Sequence, residues 1–107
     1  MLKISLGEAW ASNTVNTVIF RQHGILTCGQ YQFTAFYANK QTLRVVQRDL
    51  ATDRVSSHDI LGTFNIDDAH NSISLGCDRD GFLHVAYDHH GTPLRYRRST
   101  RPLDVTS

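Results

Sequence analysis

The sequence predicts an all-β chain: a partial β-propeller of about two blades, each an antiparallel four-stranded meander. Three observations predict it. Short runs rich in β-branched and aromatic residues recur between turn residues, and no window keeps apolar residues at i, i+3, i+4 and i+7 long enough for a helix. The layout of the first half returns in the second about 50 residues later. The run at 82–87 carries apolar groups on both faces, with Leu83, Val85 and Tyr87 on one and Phe82 and Ala86 on the other, as a sheet covered on both sides requires.

Each element has its own reason. Residues 1–16 are polar and weakly patterned, with Trp10 as their one strong apolar anchor, and read as an irregular N-terminal arm. Blade 1 is expected over 17–61, with strands at 17–21, 30–37, 43–48 and 55–61 and a polar connector at Ala38-Asn39-Lys40-Gln41. Blade 2 is expected over 70–107 and is incomplete, with strands at 72–77, 82–87 and 94–98. Asp78-Arg79-Asp80-Gly81 is a hairpin turn, because Asp-Gly readily takes the backbone angles a tight turn needs. Asp88-His89-His90-Gly91-Thr92-Pro93 is a loop.

The halves align. Phe33-Thr34-Ala35-Phe36-Tyr37 falls on Leu83-His84-Val85-Ala86-Tyr87, at an offset of 50, and Leu43-Arg44-Val45 on Leu94-Arg95-Tyr96, at 51. A period of roughly 40–50 residues made of antiparallel strands is the mark of propeller blades. A propeller typically closes with 4–8 blades. The 107 residues therefore read as one incomplete propeller domain, needing further blades or self-association to cover its exposed face and edges.

Composition narrows the function. Eleven Lys and Arg against ten Asp and Glu leave a formal charge of +1, which argues against bulk binding to nucleic acid or an anionic membrane. No stretch approaches the roughly 20 apolar residues of a membrane span, and the first residues hold no long apolar run of a signal peptide. Cys28 and Cys77 lie far apart without CxxC spacing, which argues against a zinc ribbon or a disulfide scaffold. Whether the two pair is left open.

Chemistry concentrates in histidines. Four of the six, His70, His84, His89 and His90, fall between 70 and 90. In a meander, alternate connections emerge at one end. The segment entering the inner strand, Asp67-Asp68-Ala69-His70-Asn71, and the loop Asp88-His89-His90 are thus expected at one end, with the Asp78–Asp80 turn at the other. His70, Asn71 and one of His89 and His90 should converge on an axial pocket. Histidine, with an ordinary pKa near 6.5, serves as base, acid or cation near neutrality. His84, mid-strand, reads as structural and buried between blades. Asp67, Asp68 and His70 are also a donor mix for a metal. Asp78-x-Asp80-Gly81 lacks the later ligands of a calcium loop and the later residues of a sialidase Asp-box, and reads as a turn. Arg95 and Arg97 share one strand face and Arg98 lies opposite, a basic patch that suits either solvent or an anionic polymer.

These residues also carry a resemblance. Asp68-Ala69-His70-Asn71-Ser72-Ile73-Ser74-Leu75-Gly76, Asp78-x-Asp80-Gly81-Phe82-Leu83-His84-Val85, Tyr87-Asp88-His89-His90 and Pro93-Leu94-Arg95-Tyr96-x-x-Ser99 resemble the BNR repeat-containing family, which includes seven-bladed ulvan lyases and related polysaccharide lyases. The resemblance covers roughly residues 13–104 and is most specific over 68–99. It implies an N-terminal portion of a longer, exported parent. That parent would cleave an acidic, uronic-acid-containing polysaccharide by β-elimination, or bind carbohydrate without catalysis as a sialidase-like propeller. It implies His70 and His90 as catalytic residues, and Asn71, His89 and Arg95 as substrate-binding ones. No cofactor is implied, with a structural metal in the parent left open. The catalytic Tyr and Arg would lie on later blades, so the 107 residues alone are expected to be inactive.

Overall fold

The structure, a computed structural model, describes residues 2–10, 24–68 and 71–107. Every regular element among them is a β-strand: β1 Leu26–Cys28, β2 Tyr31–Asn39, β3 Thr42–Asp49, β4 Val55–Leu61, β5 Ser74–Cys77, β6 Leu83–Tyr87 and β7 Arg95–Arg98. They form two antiparallel meanders, β1-β2-β3-β4 and β5-β6-β7. The all-β, partial-propeller expectation holds. The run at 17–21 lies outside the described residues, and the inner strand of the first sheet is β1, in a stretch the composition did not flag.

Turn chemistry places the strand ends. The Asp78 carboxylate accepts from the backbone N–H groups of Asp80 (2.9 Å) and Phe82 (3.0 Å), the Asp78 N–H donates to the Phe82 carbonyl, and Gly81 sits at φ +87°. That left-handed geometry costs a residue with a Cβ about 1–2 kcal/mol, which is why glycine stands there. Asn39 closes the β2–β3 turn by accepting from the Gln41 N–H at 2.9 Å.

The core lies between the sheets. Phe33, Ala35, Tyr37, Leu43, Val45 and Ile60 face Leu83, Val85 and Tyr87, with Phe64, Ile66, Ile73 and Val105 filling in around them. Phe64 wedges between Tyr37 and Tyr87, with ring centroids at 5.6 and 5.8 Å. On the far side of the first sheet, Leu2, Ile4 and Leu6 of the arm flank Thr34 and Val46, and the Trp10 N–H donates to the Tyr37 carbonyl. The C-terminal segment is pinned to β3 by one side chain. Gln47 donates to the Leu103 carbonyl (2.9 Å) and accepts from the Val105 N–H (3.0 Å).

The repeat seen in the sequence is shifted by one. Blades related by rotation must turn equivalent residues the same way round. Yet Phe33, Ala35 and Tyr37 point forward at the second sheet, while Leu83, Val85 and Tyr87 point back at the first. An offset of 50 on these strands therefore matches opposite faces. Register identifies the structural equivalents: Phe36 pairs with Arg44 as Tyr87 pairs with Arg95, and Thr34 with Val46 as Val85 with Arg97, each residue 51 positions from its counterpart. The alternation of apolar residues produced the slip, because the apolar residues of both strands are those that face the shared core, while the outward faces carry Gln32, Thr34, Arg44 and Arg48 on the first sheet and Ser74, His84 and Arg98 on the second. On the forward face of the second sheet, His84 replaces the position of Phe33 and Tyr96 that of Val45. Tyr96 is 50% exposed.

Candidate functional site

β2 and β6 run toward the same end of the molecule. There the β2–β3 turn, the connection from β4 to β5 and the β6–β7 loop meet, and the Asp78 turn lies at the opposite end. Beside the Tyr37–Phe64–Tyr87 ring contacts, a carboxylate ties this end together. Asp88 follows β6 at φ +43°, and its side chain is 5% exposed. Its Oδ1 accepts from the Asn65 N–H (3.0 Å) and the Asn71 Nδ2 (2.8 Å), and its Oδ2 accepts from the Arg95 Nη1 (2.8 Å). A buried carboxylate requires such donors, since an unpaired charge there is far too costly. The Asp88 N–H donates to the Tyr37 hydroxyl at 3.1 Å. Burial pushes that hydroxyl up to about 12, so Tyr37 stays neutral and serves as an acceptor.

Asn71 is the clasp between the two loops. Its Nδ2 also donates to the Asn65 carbonyl (2.7 Å), its Oδ1 accepts from the His90 N–H (3.1 Å), and its own N–H donates to the Asp68 carbonyl (3.2 Å). His90 is thereby set beside Asp68, and its Nδ1 lies 2.6 Å from Asp68 Oδ2. A carboxylate can only accept, so the ring's proton is on Nδ1 and a neutral His90 keeps its lone pair on Nε2. The His90 side chain is 53% exposed and Asp68 21%, so the pair is reachable by a large solute.

Of the sequence-predicted residues, Asn71, His90 and Arg95 come together. His70 lies outside the described residues. His89 turns back on its own strand, its Nδ1 at 3.2 Å from the Tyr87 carbonyl. Asn71 reaches the site with its amide engaged by protein groups, so here it orients His90. Arg95 turns one nitrogen to Asp88 and is 42% exposed in its side chain. Arg97 Nε contacts the Tyr87 hydroxyl at 3.4 Å, and the Arg98 guanidinium covers the Phe82 ring at 4.1 Å. His84 is half-buried rather than enclosed. It binds Asp78 Oδ2 through Nε2 at 2.8 Å and the Tyr96 hydroxyl through Nδ1. That histidine, with the Phe82 and Asp80 N–H groups, holds the Asp78 carboxyl below its ordinary value.

Reading the sequence passed over Asp68 as a histidine partner and Asp88 as an organiser. The signal for Asp68 was its place three residues before Asn71, whose N–H donates to the Asp68 carbonyl at 3.2 Å. Asp67, the other half of the supposed metal mix, forms an ion pair with Lys40 at 3.7 Å. Among the described residues no group of three or more His, Cys, Asp or Glu is placed to hold a metal.

Residues 31–107, from β2 to the end of the chain, match the BNR repeat-containing family. The chain belongs to that family. The matched part contains both sheets of the site end, although β1 falls before it. No curated protein matches this BNR repeat-containing chain.

Proposed function

We propose that this BNR-repeat chain contributes the His90 end of a polysaccharide lyase acting on an acidic, uronic-acid-containing polymer of the ulvan type. One observation supports the reading above the others: the His90–Asp68 pair, exposed at the loop end and oriented from below by Asn71 and Asp88. A base with a fixed tautomer, beside a carboxylate that stabilises its protonated form, is what proton abstraction from carbon needs.

The reaction runs as a β-elimination. His90 Nε2 takes the proton from C5 of the uronate. The C–H electrons form the C4–C5 double bond, the C4–O4 bond breaks, and an acid protonates the departing oxygen. Neutralising the uronate carboxylate makes C5–H acidic before the proton leaves, and Arg95 is the cation assigned to that task. His70, adjacent to Asn71 in sequence, is the second histidine of this proposal.

The test is the ultraviolet absorbance of the unsaturated product, measured on the protein containing this chain with uronic-acid polymers. His90→Ala should lower kcat by about 100-fold or more. Equal turnover by wild type and His90→Ala would remove His90 from the chemistry. Binding of the polymer without any unsaturated product would mean a carbohydrate-binding propeller instead.

A further inference from the structure

We propose that Cys28 and Cys77 form a reversible disulfide that fastens the inner strand of one blade to the inner strand of the next. β1 and β5 lie side by side, each ending in its cysteine, and the two Sγ atoms are 2.7 Å apart. A sulfur–sulfur bond is about 2.05 Å long, so bonding needs a closure of about 0.7 Å. Each cysteine is the last residue of a short strand, where such a movement disturbs no ladder beyond it. Both are half-buried free thiols, shielded by the core edge yet within reach of a small reagent.

The rotational geometry explains why the pair meets. Cys28 lies on the forward side of its blade and Cys77 on the backward side of the next, so the two thiols share one interface. On the inner strands the repeat is 50, since Tyr31 pairs with Cys28 and its counterpart Phe82 lies opposite Asp78. The cysteines are 49 apart, one short of that repeat, which turns the two thiols opposite ways round.

The oxidant is a small-molecule disulfide such as oxidised glutathione. One cysteine thiolate attacks it, forming a mixed disulfide and releasing one reagent thiolate. The second cysteine gives up its proton and displaces the remaining reagent sulfur. One S–S bond breaks and one forms, the protein loses two electrons, and the two thiol protons pass to the released reagent thiols. Desolvation pushes the Cys77 thiol up to about 12. The exchange is therefore slow at neutrality and faster in mildly alkaline buffer.

The link closes a long loop between blades and restrains the unfolded chain, so it should raise the melting temperature by about 10 °C. The experiment incubates the protein with oxidised glutathione in mildly alkaline buffer. The sample is then quenched with an alkylating reagent, digested with trypsin without reduction, and weighed by mass spectrometry. The expected product is peptide 22–40 joined to peptide 55–79, lost on reduction, with a melting shift that Cys28→Ser and Cys77→Ser both abolish. The linkage is read on the wild type, so it stands even if a serine variant folds poorly. Separate glutathione adducts or separate alkyl groups on the two peptides would overturn the proposal.

Discussion

Asp88 organises the site end, and its two oxygens have separable duties. Oδ1 takes both the Asn65 N–H and the Asn71 amide, while Oδ2 takes only Arg95. Replacing Asp88 with Ala orphans all three donors. Asn71 is 4% exposed and cannot rehydrate, so its lost partner costs about 1–3 kcal/mol. The part-buried Asn65 N–H adds about 1 kcal/mol. Arg95 is 42% exposed in its side chain and turns to water, so its share is at most about 1 kcal/mol. The total is about 2–5 kcal/mol. Asp88→Asn is different, because its carbonyl keeps both acceptances at the Oδ1 position and asparagine tolerates the φ of +43°. Only the Arg95 pair is lost, at about 1 kcal/mol. Urea unfolding of wild type and both variants measures the difference through the midpoint at constant m. Ala should be clearly worse than Asn. Equal losses would show that the carboxylate's charge, rather than its acceptance of two amides, holds the loops.

Three further outcomes are expected. Tyr37 is held near 12 by burial, above an unfolded value of about 10, so its contribution is complete below pH 10 and lost as pH rises from 10 through 12; alkaline unfolding followed by tyrosinate absorbance should move to higher pH in Tyr37→Phe. The Asp78 carboxyl is depressed chiefly by His84, so its contribution is present above the ordinary carboxylate value near 4 and lost as pH falls through the lowered folded value; Asp78→Asn should flatten the acid limb of the stability curve while leaving its alkaline limb alone. Gln47→Leu removes both bonds to the C-terminal segment and should cost about 1–3 kcal/mol; amide exchange should speed up at Val105, and unchanged protection there would mean that Val105 packing alone holds the segment.

How much was legible depended on the range of the interaction. Strand identity at 31–39, 42–49, 55–61 and 83–87 is a local matter, since β-branched and aromatic runs between turn residues suit a pleated, half-buried surface. β1 was not legible. Leu26-Thr27-Cys28 is too short to show alternation, and it is a strand because the exposed edge of β2 offers it a ladder. The Asp78–Gly81 hairpin was legible because its hydrogen bonds are nearly all internal. The blade repeat was legible in length but not in phase, for the apolar residues of both blades face the shared core, forward in the first and back in the second.

The site divides in the same way. Meander connectivity sufficed to bring Asn71 and His90 to one end, because antiparallel strands return every second loop to the same side. Connectivity could not say that Asp68 would be the partner of His90, nor that Asp88 would be buried beneath both. Side-chain partnership between loops 20 residues apart depends on how each connection packs against Phe64 and Tyr37.

By itself, then, the sequence determined an all-β chain built of two similar meanders, with Asn71 and His90 brought to one end. Those properties follow from residue type, alternation and strand count, which are written along the chain. Only the tertiary structure decided which faces meet, that the repeat is 51 on the paired strands, that Asp88 clasps both loops, and that Cys28 and Cys77 lie 2.7 Å apart. These depend on how one sheet is rotated against the other, and a rotation between sheets leaves no period in either strand.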